Sequence, residues 1–399
     1  MQKSKRSPDC VQMFSYDEIL NQLREQSLFR ELRTIEQVQG PLALLNGRLI
    51  VNFASNDYLG LSQHPSVKMA AKAAIEEFGA GAGASRLMTG TESPHTNAEK
   101  EIAAFKGVES AILFSSGYAA AVGTITSIAG PGDVIILDKL AHACLIDGAK
   151  LSGAALRVFP HNDIAKLESH LAWARQTYPS GKALIVTESV FSMDGTFADL
   201  ASIVELRKRF EALLMVDEAH ATGIVGPDGA GWTAALGVTR EVDIQMGTLS
   251  KALGASGGFI CGSASLVQLL VNKARSFIYS TALSPASAAA ASAALKIVRS
   301  EEGEFLRTRL MDNFRLLDKS LATPSRRKSD MISPIFPVII GDERRTLLLA
   351  ETLLARGFLA PAIRYPTVAR GSARIRIALS SSHSAEQVIA LAETILLSK

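Results

Sequence analysis

Short apolar runs recur through the middle of the chain, and helix-like or loop segments separate most of them. Each run is about four residues long, as expected for strands that are buried on both faces of a sheet. The alternation predicts βα crossovers and a largely parallel sheet covered by helices on both faces, so the expected fold class is α/β. The predicted strands are Ala111–Phe114, Val134–Leu137, Leu156–Phe159, Ala183–Val186, Leu213–Val216, Ile244–Met246 and Gly258–Cys261.

The chain before these runs shows a different pattern. From Tyr16 to about Glu36, leucines lie among charged residues at a spacing that predicts a helix. Leu49–Gly60 is typical of a strand that leads into a polar turn. His64–Phe78 predicts a second helix, because Pro65 occupies its first turn and alanines and a methionine fill its length.

After Pro285 the pattern changes again. An alanine-rich helix is followed by a strand at Ile335–Ile340, a helix at Thr346–Arg356 and a strand at Ala373–Leu379, which together predict a smaller α+β lobe. A chain of 399 residues is longer than one core usually serves. We therefore expect an N-terminal arm and helix over residues 1–48, a large domain over 49–285 and a small C-terminal domain over 286–399.

Composition and charge argue against several classes of function. The formal net charge is +3 and no basic block stands out, so a nucleic-acid surface is not expected. Cys10, Cys144 and Cys261 are far apart and show no metal-ligand spacing, which favours a reducing, cytoplasmic compartment and no metal site. No unbroken apolar segment is long enough to span a bilayer. The first dozen residues predict a loose tail.

Polar residues that follow the predicted strands are the first candidates for a site, because ligands bind at the carboxyl ends of parallel strands. Ser116, Gly117 and Tyr118 follow one apolar run and precede a helical stretch. Free backbone N–H groups and the helix dipole at such a turn favour a phosphate. The same residues also suit an ordinary helix cap.

A second strand end carries Asp217 and His220. A carboxylate there can hold a proton on a pyridine nitrogen and so make the ring an electron sink, while the histidine can donate to a phenolate oxygen. Asp-Glu-Ala-His could also belong to a nucleotide hydrolase, but no phosphate-binding GxxxxGK[ST] accompanies it. A metal pair is a further alternative, with an incomplete ligand set.

A third strand end carries Lys251, followed by a glycine-rich run that is nearly free of charge. Burial and a nearby cationic ring would lower the pKa of this lysine and favour an amine that forms a Schiff base. Thr248 and Ser250 are spaced so that their hydroxyls could reach a phosphate. A surface lysine on a turn is the alternative. His142, after another strand, could stack on a flat ring or be a structural histidine.

In chain order these residues form a phosphate turn, a stacking histidine, Asp-x-x-His and Ser-Lys, and the sequence resembles the α-oxoamine synthases among the fold-type I pyridoxal phosphate enzymes. The resemblance extends from about Asn52 to about Ser382. It rests on SNDYLG (Ser55–Gly60), TESVFSMDG (Thr187–Gly195), VDEAHATGIVGPDGAG (Val216–Gly231), GTLSKALGASGG (Gly247–Gly258) and AIRYPTVARGSARIRIALSSSH (Ala362–His383).

The resemblance implies pyridoxal 5'-phosphate (PLP) as cofactor and a role for each matching residue. Lys251 would bind PLP covalently and act as acid and base, Asp217 would contact the ring nitrogen, and His220 would contact the ring oxygen. The remaining implied cofactor contacts are His142 on the ring face, Ser116, Gly117, Tyr118, Ser192 and Thr248, and Thr281 donated by a neighbouring subunit. The implied substrate contacts are Arg30, Asn56, Thr367 and Arg376.

The resemblance also implies a reaction. It is the decarboxylative condensation of an amino acid with an acyl thioester in a homodimer with shared active sites. The motifs lean towards the biotin-pathway branch, which uses L-alanine and a pimeloyl thioester of coenzyme A or of an acyl carrier protein. Branches that use glycine or serine share the same core motifs, so the choice of amino acid stays open.

The sequence allows three other interpretations of its function. Gly254–Gly258 is formally GxSxG, but a hydrolase nucleophile follows a strand, whereas here a strand comes next. Gly79–Gly83 could suggest dinucleotide binding, but the run follows a helix. A non-catalytic scaffold on the same fold is the third alternative, since fold alone does not give function.

Overall fold

The structure is a computed structural model that describes residues 15–26, 28–321 and 333–398. The predicted loose tail lies outside these residues. No helix within the described ranges is long and apolar enough to cross a membrane.

The seven predicted strands all form. Each begins or ends within two residues of its expected bounds, because the apolar runs are buried as the alternation requires. The strands are β1 (Ile35–Gln39), β2 (Leu42–Leu45), β3 (Arg48–Asn52), β4 (Ser110–Phe114), β5 (Val134–Asp138), β6 (Ala155–Phe159), β7 (Ala183–Glu188), β8 (Leu213–Asp217), β9 (Ile244–Thr248), β10 (Gly258–Gly262), β11 (Ile335–Gly341), β12 (Phe358–Leu359), β13 (Ala362–Ile363) and β14 (Ala373–Ala378).

Helices precede and separate these strands. They are α1 (Tyr16–Glu25), α2 (Pro65–Phe78), α3 (Ser93–Lys106), α4 (Gly117–Ile128), α5 (Ala143–Ser152), α6 (Ile164–Thr177), α7 (Leu200–Arg209), α8 (Trp232–Ala235), α9 (Ala264–Lys273), α10 (Arg275–Ile278), α11 (Pro285–Val298), α12 (Glu301–Ser320), α13 (Glu343–Ala355) and α14 (Ala385–Leu397).

One N-terminal prediction was wrong in extent. The helix expected to reach about Glu36 ends at Glu25, and further along the chain the β-branched Ile35 and Val38 belong to strand β1 and pair with β2. The strand expected to lead into a polar turn within Leu49–Gly60 forms as β3, which ends at Asn52, and the chain turns after it.

The central sheet has the strand order β4-β10-β9-β8-β7-β5-β6. Strand β10 runs antiparallel to both of its neighbours, and the other pairs are parallel. Successive side chains of β5 enter different cores: Ile135 and Leu137 pack with the cluster around α4 and α9, and Val134 and Ile136 pack with the cluster around α6 and α7. Helices therefore cover both faces, as an α/β sheet requires.

The C-terminal part contains the antiparallel sheet β11-β14-β13, covered by α12, α13 and α14. Strand β12 leaves this part and pairs with β3, so the N-terminal sheet β1-β2-β3-β12 contains strands from both ends of the chain. The division into an arm, a large domain and a small domain at 48/49 and 285/286 stays a prediction.

Candidate active site

The site centres on Lys251, which follows strand β9. Its Nζ lies 2.8 Å from Nε2 of His220, and Nδ1 of the same histidine lies 2.7 Å from the hydroxyl of Tyr58. Tyr58 and His220 are buried. Burial is the main cause that lowers the pKa of Lys251, against the attraction of Asp217 and Glu188. An amine with a lowered pKa is a better nucleophile at neutral pH.

Two carboxyl groups lie side by side at the ends of adjacent strands. Asp217 ends β8 and Glu188 ends β7, and the two are partners in the parallel register. Burial raises the pKa of Asp217, while the charge of Lys251 opposes the rise; burial also raises the pKa of Glu188 well above its usual value. Paired buried carboxyls with perturbed pKa values are typical of functional sites.

The N-terminus of helix α4 supplies an anion site near the lysine. Ser116 is its N-cap residue and accepts from the N–H of Ala119 at 3.1 Å. A Cβ on Gly117 would lie 3.7 Å from Oγ1 of Thr248, so this hydroxyl faces the first turn of the helix. Oγ1 of Thr248 lies 2.8 Å from Oγ of Ser250. Hydroxyls and free N–H groups at a helix N-terminus suit a phosphate.

His142 caps helix α5 beside this cluster. Its backbone N–H donates to Oε1 of Glu188 at 2.5 Å, and its Nδ1 accepts from the N–H of Cys144 at 3.3 Å. Burial lowers the pKa of His142, and the charge of Asp217 opposes this. The imidazole is therefore close enough to Asp217 and Lys251 to feel their charges, and its role as a ring-stacking histidine stays a prediction.

Arg376 projects from strand β14 and reaches the other side of the cluster. Its Nη2 donates to Oδ1 of Asn56 at 3.1 Å, and its Nε donates to the carbonyl of Ser192 at 2.6 Å. The guanidinium is buried, and the N–H of Ser192 donates to Glu188. A buried guanidinium whose partners are neutral oxygens is suited to bind an anionic ligand such as a carboxylate.

Other predicted residues lie apart from the lysine, and within the described ranges no hydrogen bond joins them to its cluster. Tyr118 is half-exposed and donates to Asp147 at 2.8 Å. Arg30 lies close enough to Arg364 to lower the pKa of that side chain, although burial of Arg364 is the larger cause. The N–H of Thr367 donates to the carbonyl of Arg364, so both predicted acyl contacts lie beside one arginine.

Thr281 also lies apart from the lysine. It is exposed in the loop before α11, where it forms an isolated β-bridge with Ser85. Among the described residues of one copy of the chain, no hydrogen bond joins it to the anion site at α4. Its predicted role depends on a neighbouring subunit, and that role stays a prediction.

Sequence reasoning missed two members of the cluster. Glu188 lies within TESVFSMDG and Tyr58 within SNDYLG, but the sequence alone assigned neither residue a role. The rule that selected Asp217, a polar residue at the end of a buried strand, also applies to Glu188. Tyr58 carries no such signal, because its contact with His220 joins residues 162 positions apart.

The hydrolase and dinucleotide alternatives lack their structural contexts. Ser256 precedes strand β10, whereas a hydrolase nucleophile follows a strand. The glycines around it are needed for packing: a Cβ on Gly254 would collide with the backbone of Ser62, and one on Gly258 with that of Gly117. Gly79 caps the C-terminus of α2, so Gly79–Gly83 does not connect a strand to a helix.

The described donor set fits PLP. An amine of lowered pKa suits the aldehyde, a buried carboxyl suits the ring nitrogen, and the turn at α4 with its facing hydroxyls suits the phosphate. Within the described ranges, no three histidine, cysteine or acidic side chains are grouped to hold a metal ion.

Comparison with known proteins agrees with this geometry. The profile of the family described as aminotransferase class I and II matches residues 48–395. The chain belongs to this family. The 8-amino-7-oxononanoate synthase of Geobacter sulfurreducens is 46% identical over 364 residues, covering 91% of this chain and 92% of the relative. That of Pelobacter propionicus is 44% identical over 376 residues, covering 94% and 95%.

Solved structures of the same fold support the assignment to the family. A serine palmitoyltransferase of S. paucimobilis with bound PLP and myriocin superposes with a TM-score of 0.89 at 28% identity over 96% of both chains. An 8-amino-7-oxononanoate synthase of Francisella tularensis gives a TM-score of 0.74 at 29% identity over 87% of this chain and 96% of that one. The expected α/β fold of PLP-dependent transferases and the α-oxoamine synthase resemblance are confirmed.

Proposed function

We propose that this member of the family is a PLP-dependent 8-amino-7-oxononanoate synthase, which condenses L-alanine with a pimeloyl thioester and releases carbon dioxide and a thiol. The observation that carries the proposal is the cluster in which Lys251 contacts His220 near Asp217, with Arg376 joined to it through the hydroxyl of Tyr58. Relatives of that name match more than nine-tenths of the chain.

Different residues of the chain would have different roles in this reaction. When bound, PLP supplies an electron-withdrawing ring that stabilises negative charge on the amino acid's Cα. Lys251 would hold the cofactor through its amine and would act as the base that removes the Cα proton of the bound amino acid. Asp217 would keep a proton on the ring nitrogen. His142 would pack against the ring, and His220 would donate to its oxygen.

Arg376 and Asn56 bind the carboxylate of the amino acid and fix its orientation. A bidentate guanidinium is suited to this task because it fixes direction as well as charge. By fixing the carboxylate, these two residues would control which bond to Cα is aligned for cleavage, first the bond to hydrogen and later the bond to the carboxylate carbon. The new carbon–carbon bond forms at the thioester carbonyl, whose sulfur leaves as the thiol. Arg30 and Thr367, beside Arg364, are the proposed contacts of the acyl chain.

A homodimer is part of the proposal, with Thr281 reaching the phosphate of the neighbouring subunit. The Ser85–Thr281 bridge is flanked by the exposed apolar residues Leu87, Met88 and Tyr279, and clustered apolar exposure is typical of protein interfaces. We also place the enzyme in the cytoplasm, because three well-separated cysteines suit a reducing compartment.

A substrate panel tests the proposal. L-alanine, glycine and L-serine are each combined with pimeloyl-coenzyme A, pimeloyl-acyl carrier protein and acetyl-coenzyme A, and thiol release is followed with a disulfide reagent. We expect the highest kcat/KM for L-alanine with a pimeloyl thioester, and mass spectrometry should detect 8-amino-7-oxononanoate. A preference for glycine or serine would move the chain to another branch. Absence of thiol release in the PLP-loaded protein would refute the proposal.

A further inference from the structure

A continuous series of hydrogen bonds joins the lysine of the site to its arginine, and it passes through a tyrosine with no role in the proposed reaction. Nζ of Lys251 contacts His220, His220 contacts the hydroxyl of Tyr58 at 2.7 Å, and that hydroxyl lies 3.0 Å from Oδ1 of Asn56. Nη2 of Arg376 donates to the same Oδ1. Tyr58 has no exposed surface, so water does not compete for its hydroxyl.

Counting protons shows that Tyr58 selects the tautomer of His220. The phenol has one proton and two neighbouring acceptors. If the proton points to Nδ1 of His220, then Nε2 carries the imidazole proton and donates towards Lys251. If it points to Asn56, then Nδ1 must donate to the phenol, and Nε2 presents a lone pair to Lys251. The bond at one ring nitrogen thus determines the function of the other.

The surroundings favour the first arrangement. The contact of Tyr58 with His220 is the shorter of the two, and Asn56 already accepts from Arg376. Burial raises the pKa of Tyr58 to about 12, so the phenol keeps its proton at neutral pH. Burial, with the positive charges of Lys251, Arg376 and His142, lowers the pKa of His220 well below its usual value. The imidazole is therefore neutral, and its tautomer matters.

We propose that Tyr58 is a positioning residue: its hydroxyl donates to Nδ1 of His220 and fixes the tautomer whose Nε2–H points towards Lys251. In the cofactor-free chain this N–H can donate to the amine form of Lys251 but cannot accept from the ammonium form, which it therefore disfavours. In the holoenzyme it donates to the ring oxygen, and only this second half rests on the proposed function. The ionisable groups that also act on Lys251 are Asp217, Glu188, Arg376 and Cys144.

The first test uses the cofactor-free, full-length chain. Reductive methylation of Lys251 is measured against pH by mass spectrometry of its peptide, in the unchanged chain and in Tyr58→Phe. Without the phenol, His220 can turn its Nε2 lone pair towards the ammonium, so we expect the pH midpoint of labelling to rise by about one unit. An unchanged midpoint in a folded Tyr58→Phe protein overturns the proposal.

Two controls separate this role from a structural one. Tyr178→Phe removes the hydroxyl of a half-buried tyrosine that packs on Trp173 outside the cluster, and it should leave the midpoint unchanged. In a His220→Asn background, Tyr58→Phe should have no further effect on Lys251. A shift of the same size in that background would mean that Tyr58 acts without the histidine, which contradicts the proposal.

Two further measurements keep the test decisive. Nitrogen-15 NMR of labelled histidines in the unchanged chain should show His220 protonated at Nε2, and protonation at Nδ1 would overturn the proposal even if the variant failed to fold. In the PLP-loaded protein, the pH midpoint of the cofactor absorbance should rise in Tyr58→Phe, because the ring oxygen loses a fixed donor. A chain that binds no PLP gives no such absorbance, whereas methylation and NMR still decide the role of Tyr58.

Discussion

Two lysines of this chain, Lys106, which is buried, and Lys251, which is partly buried, lie close to two adjacent carboxylates and differ in what they contact. Lys106 is buried and bonds Glu218, and its Nζ also donates to the carbonyl of Ala230 at 2.6 Å. Lys251 lies near Asp217, which directly precedes Glu218 in the sequence. Within the described ranges Lys251 forms no ion pair, and its Nζ contacts His220 instead.

The end of strand β8 therefore contributes both to stability, through Glu218, and to the candidate active site, through Asp217. The second oxygen of Glu218 accepts from the N–H of Thr233 at 2.9 Å, so the Lys106 pair is satisfied on both sides. Replacing either partner of such a pair leaves an uncompensated buried charge and lowers the stability of the fold. Among the residues that the structure describes, no carboxylate bonds directly to the amine of Lys251, and burial lowers the pKa of this amine. The satisfied lysine is held in place, and the incompletely paired one is available to react.

The largest expected effect is that of replacing Lys251. Lys251→Ala should lower the rate of condensation by at least about 10⁴-fold, because both the covalent attachment of the cofactor and the acid–base group are lost. The absorbance of the lysine-bound cofactor should disappear while the thermal unfolding midpoint stays close to that of the unchanged chain. Retained turnover would show that the two lysines do not differ in the way described.

Replacing Lys106 should produce the converse result. Lys106→Met leaves the buried Glu218 without its cation, and we expect the free energy of unfolding to fall by about 3–5 kcal/mol in urea titrations. The matched double variant Lys106→Met/Glu218→Gln should recover most of this loss, because no uncompensated charge remains. Equal losses in the single and double variants would show that packing of the lysine, rather than its charge, stabilises this region.

Asp217 and Glu218 should differ as the two lysines do, the first affecting mainly the reaction rate and the second mainly stability. Asp217→Asn removes the charge that holds a proton on the ring nitrogen, and we expect kcat to fall by about 10²–10³-fold with little change in unfolding free energy. Steady-state kinetics and urea titration of the same preparations measure both effects. Glu218→Gln is the control: it should lower stability, since Lys106 loses its partner, and largely retain the kcat of the folded protein. Near-normal kcat in Asp217→Asn would contradict the proposed role of this carboxylate.

The strands of the large sheet could be predicted because their signal is local. Runs such as Val134–Leu137 are short and apolar, and helices on both faces leave them no exposed side. The strand at Ile35–Gln39 could not be predicted, because this segment is extended through its pairing with β2, as when Ile35 lies opposite Leu45. A periodicity of apolar residues does not reveal which partner strand is present.

The residues of the candidate site likewise fall into those that the sequence predicts and those that it does not. Asp217 and Lys251 could be selected because each follows a buried strand, where parallel sheets present their polar residues. The link from Tyr58 to His220, and the adjacency of Glu188 to the backbone of His142, depend on contacts between distant segments. Motif spacing carries no information on such contacts, so these parts became visible only in the folded chain.

The smallest expected effect concerns His383, a buried titratable group whose nitrogens are both satisfied. Its Nδ1 accepts from the N–H of Ser380 at 3.0 Å, and Nε2 lies 3.1 Å from the carbonyl of Asn52, so the neutral ring is the one that fits. Burial lowers the pKa of His383 to about 4, below the value near 6.5 expected in the unfolded chain. Between these values only the unfolded chain binds the proton. Stability is therefore fully present above about pH 6.5 and falls as the pH drops towards 4.

The total contribution of this histidine is roughly 3 kcal/mol or less. In His383→Gln, the free energy of unfolding should depend less on pH between about 4 and 6.5, because the titrating group is absent. His170→Gln, which alters a half-buried histidine on α6, should keep most of the slope of the unchanged chain. Parallel curves for the unchanged chain and His383→Gln would assign the acid sensitivity elsewhere. The buried carboxyls Asp217 and Glu188, whose pKa values are raised, are not expected to cause it, because groups of that kind gain protons in the folded chain first.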